Sequence, residues 1–199
     1  MTLTDEIRSE SARRAYLAQP TVPKRPEELD PRQNPPVAEV FGSAAAPVTG
    51  PTNSLASRVV NCDDVPWTPF PMQGTSFKLL NINETTGATT ILLYVSEGAE
   101  APLHCHLGAA EAYNIFGTWA YEGEAKAIGP NCYVHEPAGI VHLPKQESES
   151  LMFGVFHGPI IGYDETGSVA GVITADLLWD LAKANNAVGH LPPRTGRRG

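Results

Sequence analysis

Histidines occur at two places in the chain with a spacing that suits metal binding. His104 and His106 are separated by one residue, and His142 follows later in the chain. Side chains on a strand alternate with period two, so two histidines at this spacing point to the same face. A third histidine and a carboxylate from neighbouring segments could close a metal site around that face. Such a ligand set, mostly imidazole with one hard oxygen, suits Fe, Mn, Zn, Ni or Cu.

The segments around these histidines have the composition of short β-strands with turn residues between them. Thr89–Val95 is rich in β-branched and aromatic residues, and Asn83–Gly87 supplies a turn that ends in glycine. Many short strands at this spacing predict a β-sandwich or β-barrel. The predicted strands cover residues 77–83, 89–95, 102–106, 111–116, 118–121, 125–128, 132–136, 141–143 and 151–156.

The two histidine segments resemble the two sequence motifs of the cupin family. The residues that match its first motif, G-x5-H-x-H-x3–4-E-x6-G, are Gly98, His104, His106, Glu111 and Gly117, with one residue fewer before the last glycine. The residues that match the end of the second motif, P-x-G-x-x-H, are Pro137, Gly139 and His142. The resemblance implies an all-β double-stranded β-helix, the cupin jelly-roll barrel. It also implies that His104, His106, Glu111 and His142 bind the metal.

Within the cupins, the chain is most similar to the 2,4'-dihydroxyacetophenone dioxygenase-like group. The segments that carry this similarity run from His104 through Tyr113, Trp119 and Tyr133 to Glu136–Gly139. It implies a non-haem Fe(II)-dependent dioxygenase that cleaves a C–C bond in a small aromatic 2-hydroxyketone or a β-diketone, with O2 as the second substrate. Zn, Mn and Ni are the alternative metals. The alternative functions are a non-catalytic metal-binding or sensor cupin, as in the cupin anti-sigma factors, and an oxygen-independent isomerase or lyase.

Glu111 has two possible roles. As a fourth metal ligand it leaves two positions of an octahedral metal open, and as a nearby catalytic base it leaves three. Tyr113, Tyr94 and Phe153 are candidates to contact the substrate, although the two tyrosines could equally serve as core aromatics. His135 matches no motif position and is predicted to be structural or peripheral.

Composition divides the chain into four parts. Residues 1–57 are predicted to form an N-terminal arm, a short helix followed by a Pro-rich extended or disordered segment. Residues 58–172 are expected to form the barrel and residues 173–187 a C-terminal helix. Thr174 is its predicted N-cap, and Leu177, Leu178, Leu181 and Ala182 form its apolar stripe. Residues 188–199, which include Arg194, Arg197 and Arg198, are predicted to be a flexible tail.

Charge and composition limit the partners of the protein. The net charge of −8 over 199 residues argues against nucleic acid or an anionic membrane as the main partner, because both require a basic surface. The three cysteines form no disulfide framework, and the first residues lack the apolar core of a signal peptide. We therefore expect a cytoplasmic protein that acts on a small molecule, and the cupin resemblance implies a homodimer or homotetramer.

Overall fold

A computed structural model describes residues 58–194, which form twelve β-strands and one α-helix. The predicted arm over residues 1–57 lies outside the described residues. The strands are β1 (Thr68–Pro69), β2 (Thr75–Ile82), β3 (Thr89–Val95), β4 (His104–His106), β5 (Ala110–Phe116), β6 (Trp119–Tyr121), β7 (Tyr133–Glu136), β8 (Val141–His142), β9 (Pro144–Gln146), β10 (Ser150–Phe156), β11 (Ile160–Tyr163) and β12 (Val169–Ile173). The helix, α1, covers Ala175–Ala184.

The strands pair antiparallel in two main sheets that enclose a cavity. One sheet has six strands in the order β1-β2-β3-β10-β5-β7, and the other has four in the order β12-β11-β4-β8. A two-stranded ribbon, β6-β9, completes the barrel. This non-sequential strand order confirms the predicted all-β jelly roll.

The turn before β8 is fixed against β4 by two backbone hydrogen bonds. The Gly139 nitrogen donates to the His106 carbonyl at 2.7 Å, and the His106 nitrogen donates to the Ile140 carbonyl at 3.1 Å. Gly139 has a φ of 84°, in the left-handed region that glycine adopts without steric cost. The Pro-x-Gly turn therefore brings the third histidine back beside the first two.

Helix α1 closes one end of the core. The Thr174 hydroxyl accepts a hydrogen bond from the Leu177 nitrogen at 3.1 Å, which confirms the predicted N-cap. Leu178 and Ala182 are buried in the same apolar cluster as Phe77 of β2 and Ile91 of β3. The predicted helix is thus confirmed, and its apolar stripe packs on the barrel.

One predicted strand is absent from the residues that the structure describes, and one hairpin was not predicted. Ile128 makes only an isolated bridge to Trp119, whereas a strand was predicted over residues 125–128. The hairpin of β11 and β12 was missed, because Gly162 and Gly171 interrupt its apolar pattern and lie opposite each other in the pairing.

Within the described residues, no helix is long and apolar enough to span a membrane.

The prediction of a flexible tail was also wrong over residues 188–194. Leu191 is only 8% exposed and belongs to the main apolar cluster, and the His190 Nε2 lies 2.7 Å from the Leu79 carbonyl. The Arg194 guanidinium contacts Glu84 at 2.9 Å and Asp176 at 2.7 Å. Burial of one leucine and pairing of one arginine hold this segment to the barrel. Neither residue belongs to a periodic hydrophobic pattern, so the sequence did not indicate this packing.

Replacing Leu191 with alanine tests this packing. We expect Leu191→Ala to lower the free energy of unfolding by about 2–3 kcal/mol, because the substitution leaves a cavity in the core. Urea denaturation measures the change. Leu107, which is 52% exposed, offers the same substitution as a control, with an expected effect of about 0.5 kcal/mol or less. Equal, small effects at both positions would show that the segment is not packed.

Candidate metal centre

Three histidine side chains converge inside the barrel. His104 and His106 lie on β4, and His142 on β8 is the direct antiparallel partner of His104. The His104 Nε2 lies 2.9 Å from the His142 Nε2 and 3.1 Å from the His106 Nε2. All three residues are buried, and one ligand atom from each lies within 4.8 Å of the others. The structure thus brings together the three predicted histidine ligands.

The three imidazoles are held in their neutral form. The Pro102 carbonyl, 2.9 Å from the His104 Nδ1, can only accept a hydrogen bond, so Nδ1 carries the proton and Nε2 keeps its lone pair. Burial lowers the pKa of His104. Burial and the neighbouring histidines lower the pKa of His106 to about 3 and that of His142 to about 4. Three buried neutral imidazoles with converging nitrogens fit a divalent transition metal.

Aromatic rings fix the orientation of two of the imidazoles. Phe156 of β10 stacks on His106 with ring centroids 5.9 Å apart and planes 10° apart. Tyr121 of β6 stacks on His142 at 4.7 Å and 21°. These contacts restrict rotation of the rings and therefore keep the ligand nitrogens pointing toward a common centre.

A buried carboxylate that the sequence analysis missed lies beside the histidines. The Glu136 Oε2 is 3.2 Å from the His106 Nε2, and its Oε1 is 3.7 Å from the His142 Nε2. The Tyr121 hydroxyl donates a hydrogen bond to Glu136 Oε1. Burial raises the pKa of Glu136, and the Tyr121 hydrogen bond opposes that rise. Side chains alternate along β7, so Glu136 and His135 lie on opposite faces of the strand. The sequence did not show which of these two faces points inward.

Glu111 does not join the histidines, which corrects its predicted role as ligand and base. Its Oε1 lies 3.4 Å from the His157 Nε2, and its side chain is 44% exposed. Its partners across the sheet are Val155 and the exposed His135, on the outer face. The reason is the alternation of β5, which turns Ala110 and Ala112 inward and places Ala110 opposite Glu136.

The three predicted substrate contacts also lie away from the cavity. Tyr113 and Phe153 are cross-strand partners on the outer face and are 43% and 39% exposed. Tyr94 is buried, but it packs edge-on against Trp67 and donates a hydrogen bond to Glu149 at 2.9 Å. Strand alternation is again the reason. The residues next to these three along their strands point to the opposite face and line the cavity: Leu93, Met152, Gly154 and Ala112. His135 is exposed, as its predicted peripheral role implies.

The histidines and Glu136 open into a cavity of about 360 Å³ between the two sheets. That volume is within the usual range for small-molecule sites. Trp119 and Phe156 lie in its wall. The site therefore combines converging metal-ligating nitrogens, one carboxylate and a largely apolar chamber.

Solved structures share this fold at low sequence identity. An RmlC-like cupin from Ralstonia eutropha is 22% identical, with a TM-score of 0.64 over 71% of this chain and 94% of that one. An acetylacetone dioxygenase from Acinetobacter johnsonii is 23% identical, with a TM-score of 0.60 over 65% of this chain and 93% of that one. A further cupin-like protein from Ralstonia eutropha, of unknown function, is 22% identical with a TM-score of 0.53 over 58% and 73%. At these identities the likeness shows the fold alone.

Sequence comparison assigns the family. No curated protein matches the chain. The family model described as the ChrR cupin-like domain matches residues 55–161, which is more than half of the chain and includes all three histidines and Glu136. Together with the barrel and its metal-ligating cluster, this match shows that the chain belongs to the ChrR cupin-like family.

Proposed function

We propose that this protein is a non-haem Fe(II)-dependent dioxygenase that cleaves a C–C bond in a 2-hydroxyketone or β-diketone. The observation that carries the proposal is the convergence of three neutral histidine nitrogens beside a buried carboxylate in an apolar cavity. The acetylacetone dioxygenase with the same fold adds support for this reaction class. Zn, Mn and Ni remain the alternative metals.

His104, His106 and His142 would hold the metal. When bound, Fe(II) supplies a Lewis acid for the two substrate oxygens and the redox centre for the reaction with O2. Three neutral ligands do not reduce the charge of the cation, so an anionic substrate oxygen is strongly attracted. Three histidine ligands also leave enough open positions for a substrate that binds through two oxygens.

Glu136 is positioned to act as the base that Glu111 was predicted to be. It would take the acidic proton from the carbon next to the substrate carbonyl, which leaves the substrate as an enolate. Its burial raises its pKa, and a carboxylate of higher pKa is a stronger proton acceptor. The Tyr121 hydroxyl holds one carboxylate oxygen, and the other stays directed toward His106. Tyr121 is therefore a positioning residue for Glu136.

Oxygen uptake by the Fe(II)-loaded protein tests the proposal directly. With a panel of 2-hydroxyketones and β-diketones, we expect one O2 consumed for each substrate molecule cleaved, with a carboxylic acid as a product. Substrate turnover that is unchanged without O2 and with Zn(II) in place of Fe(II) would favour an isomerase or lyase instead. Bound iron with no turnover across the panel would favour a metal-binding sensor.

The metal ligands can be tested separately from turnover. We expect His104→Ala to retain no stoichiometric iron after dialysis, because it removes one of three ligands, while His135→Ala retains iron like the wild type. Metal analysis and circular dichroism of both variants provide the measurement and the folding control. Full iron retention by His104→Ala would overturn the assignment of this centre.

The role of Glu136 has a matched control on the neighbouring strand. We expect Glu136→Gln to bind iron and to lose about 10²–10⁴-fold in kcat, because glutamine cannot accept the proton. Glu111→Gln makes the same change on the outer face and should leave kcat unchanged. Loss of iron in Glu136→Gln would identify Glu136 as a ligand, and a loss of activity only in Glu111→Gln would reverse the assignment.

A further inference from the structure

The cavity extends far beyond the metal centre. Its walls reach from Glu136 on β7 to Leu93 on β3 and Phe70 after β1, which lie toward the opposite edge of the six-stranded sheet. Three strand-to-strand steps separate β7 from β3, or about 14 Å at the usual strand spacing. A compact diketone held at the histidines and Glu136 would leave the part of the cavity toward Leu93 and Phe70 unfilled.

Small residues keep the passage open next to the metal centre. Ala110 lies opposite Glu136, and Ala112 pairs with Gly154 on β10. All three side-chain positions face the cavity, where larger residues would separate the histidines from the remainder of the chamber. Gly154 lies in the middle of β10, where a glycine lowers the stability of the strand relative to a β-branched residue. The open space beside it therefore comes with a loss of side-chain packing.

The far end of the cavity is apolar. Its wall there includes Phe70, Met72, Leu93, Ile173 and Leu177, from both sheets and the first turn of α1, and the hydroxyl of Thr75 donates to the Met72 carbonyl at 2.6 Å. No lysine or arginine is among the described residues that line the cavity. A ligand group at this end gains affinity by removing apolar surface from water, and a carboxylate or phosphate there would have no cationic partner.

We infer that the substrate carries an uncharged, extended apolar arm, such as an alkyl chain, attached to the dicarbonyl or hydroxyketone head. This inference rests on the proposed function for the head group. The head lies at the histidines and Glu136, and the arm passes over Ala112 and Gly154 toward Leu93 and Leu177. Met152 lies between the two ends, because its cross-strand partners are Asn114 on β5 and Leu93 on β3. Met152 is therefore the residue that sets the length of arm the cavity accepts.

Binding of a chain-length series tests the arm without turnover. The probes are pentane-2,4-dione, heptane-2,4-dione and nonane-2,4-dione, titrated calorimetrically into the full-length protein loaded with redox-inert Zn(II). We expect the Kd to fall about three- to fourfold for each added methylene group, because each is removed from water. A Kd that does not change, or that rises, with chain length would overturn the arm.

Two tryptophan substitutions on β10 separate a cavity effect from a strand effect. We expect Met152→Trp to weaken binding of nonane-2,4-dione at least about tenfold and that of pentane-2,4-dione by less than about twofold. Phe153→Trp makes a similar change on the exposed face of the same strand and should preserve the wild-type series. An equal loss of affinity for both diones in Met152→Trp would count against the arm. If this variant does not fold, the chain-length series with the wild-type protein still tests the arm.

A second series distinguishes failure of the arm from failure of the proposed function. Unbranched primary alcohols of increasing length, titrated into the metal-free protein, require the apolar end of the cavity but no metal. Alcohol affinity that rises with length, with no gain for the diones on loading Zn(II), would support the apolar arm and overturn the diketone head group. Alcohols that show no dependence on length would overturn the arm, whatever the diones show.

Discussion

The site depends on one constraint, which is that three imidazole nitrogens with lone pairs must face one another away from water. The 2.9 Å separation of His104 and His142 depends on the pairing of β4 and β8 with these two residues directly opposite each other, and the 3.1 Å separation of His104 and His106 depends on their shared face of β4. Burial then lowers the pKa values of the histidines, so they stay neutral and do not repel one another. The Pro-x-Gly turn, the stacked rings of Phe156 and Tyr121, and the burial of β4 all serve this arrangement.

Strand alternation decides which carboxylate lies beside the histidines. Glu111 and Glu136 lie on paired neighbouring strands, but the register sets Glu136 opposite Ala110 and sets Glu111 opposite His135. A shift of one residue in either strand would exchange an inward for an outward position. The position occupied by the carboxylate also determines its chemistry. Inside, Glu136 has a raised pKa and a tyrosine partner, whereas outside, Glu111 contacts His157 at the surface.

The cavity has two ends with different chemical character, and the order of strands in the sheets separates them. The polar groups of the centre come from β4, β7 and β8, whereas the apolar wall comes from the β1–β3 side, β12 and α1. Ala110, Ala112 and Gly154 keep the two ends connected. The same packing that stabilises the barrel therefore provides both the three-histidine centre and a long apolar surface.

The sequence by itself determined the features that depend on neighbours along the chain. These are the shared face of His104 and His106, the N-cap at Thr174 and the strand over Thr89–Val95. Only the tertiary structure decided which face of β3, β5, β7 and β10 points inward, and with it the places of Glu136, Tyr94, Tyr113 and Phe153. The packing of residues 188–194 was decided in the same way. The physical reason is that alternation sorts side chains into two faces, but pairing with distant strands decides which of those faces is buried.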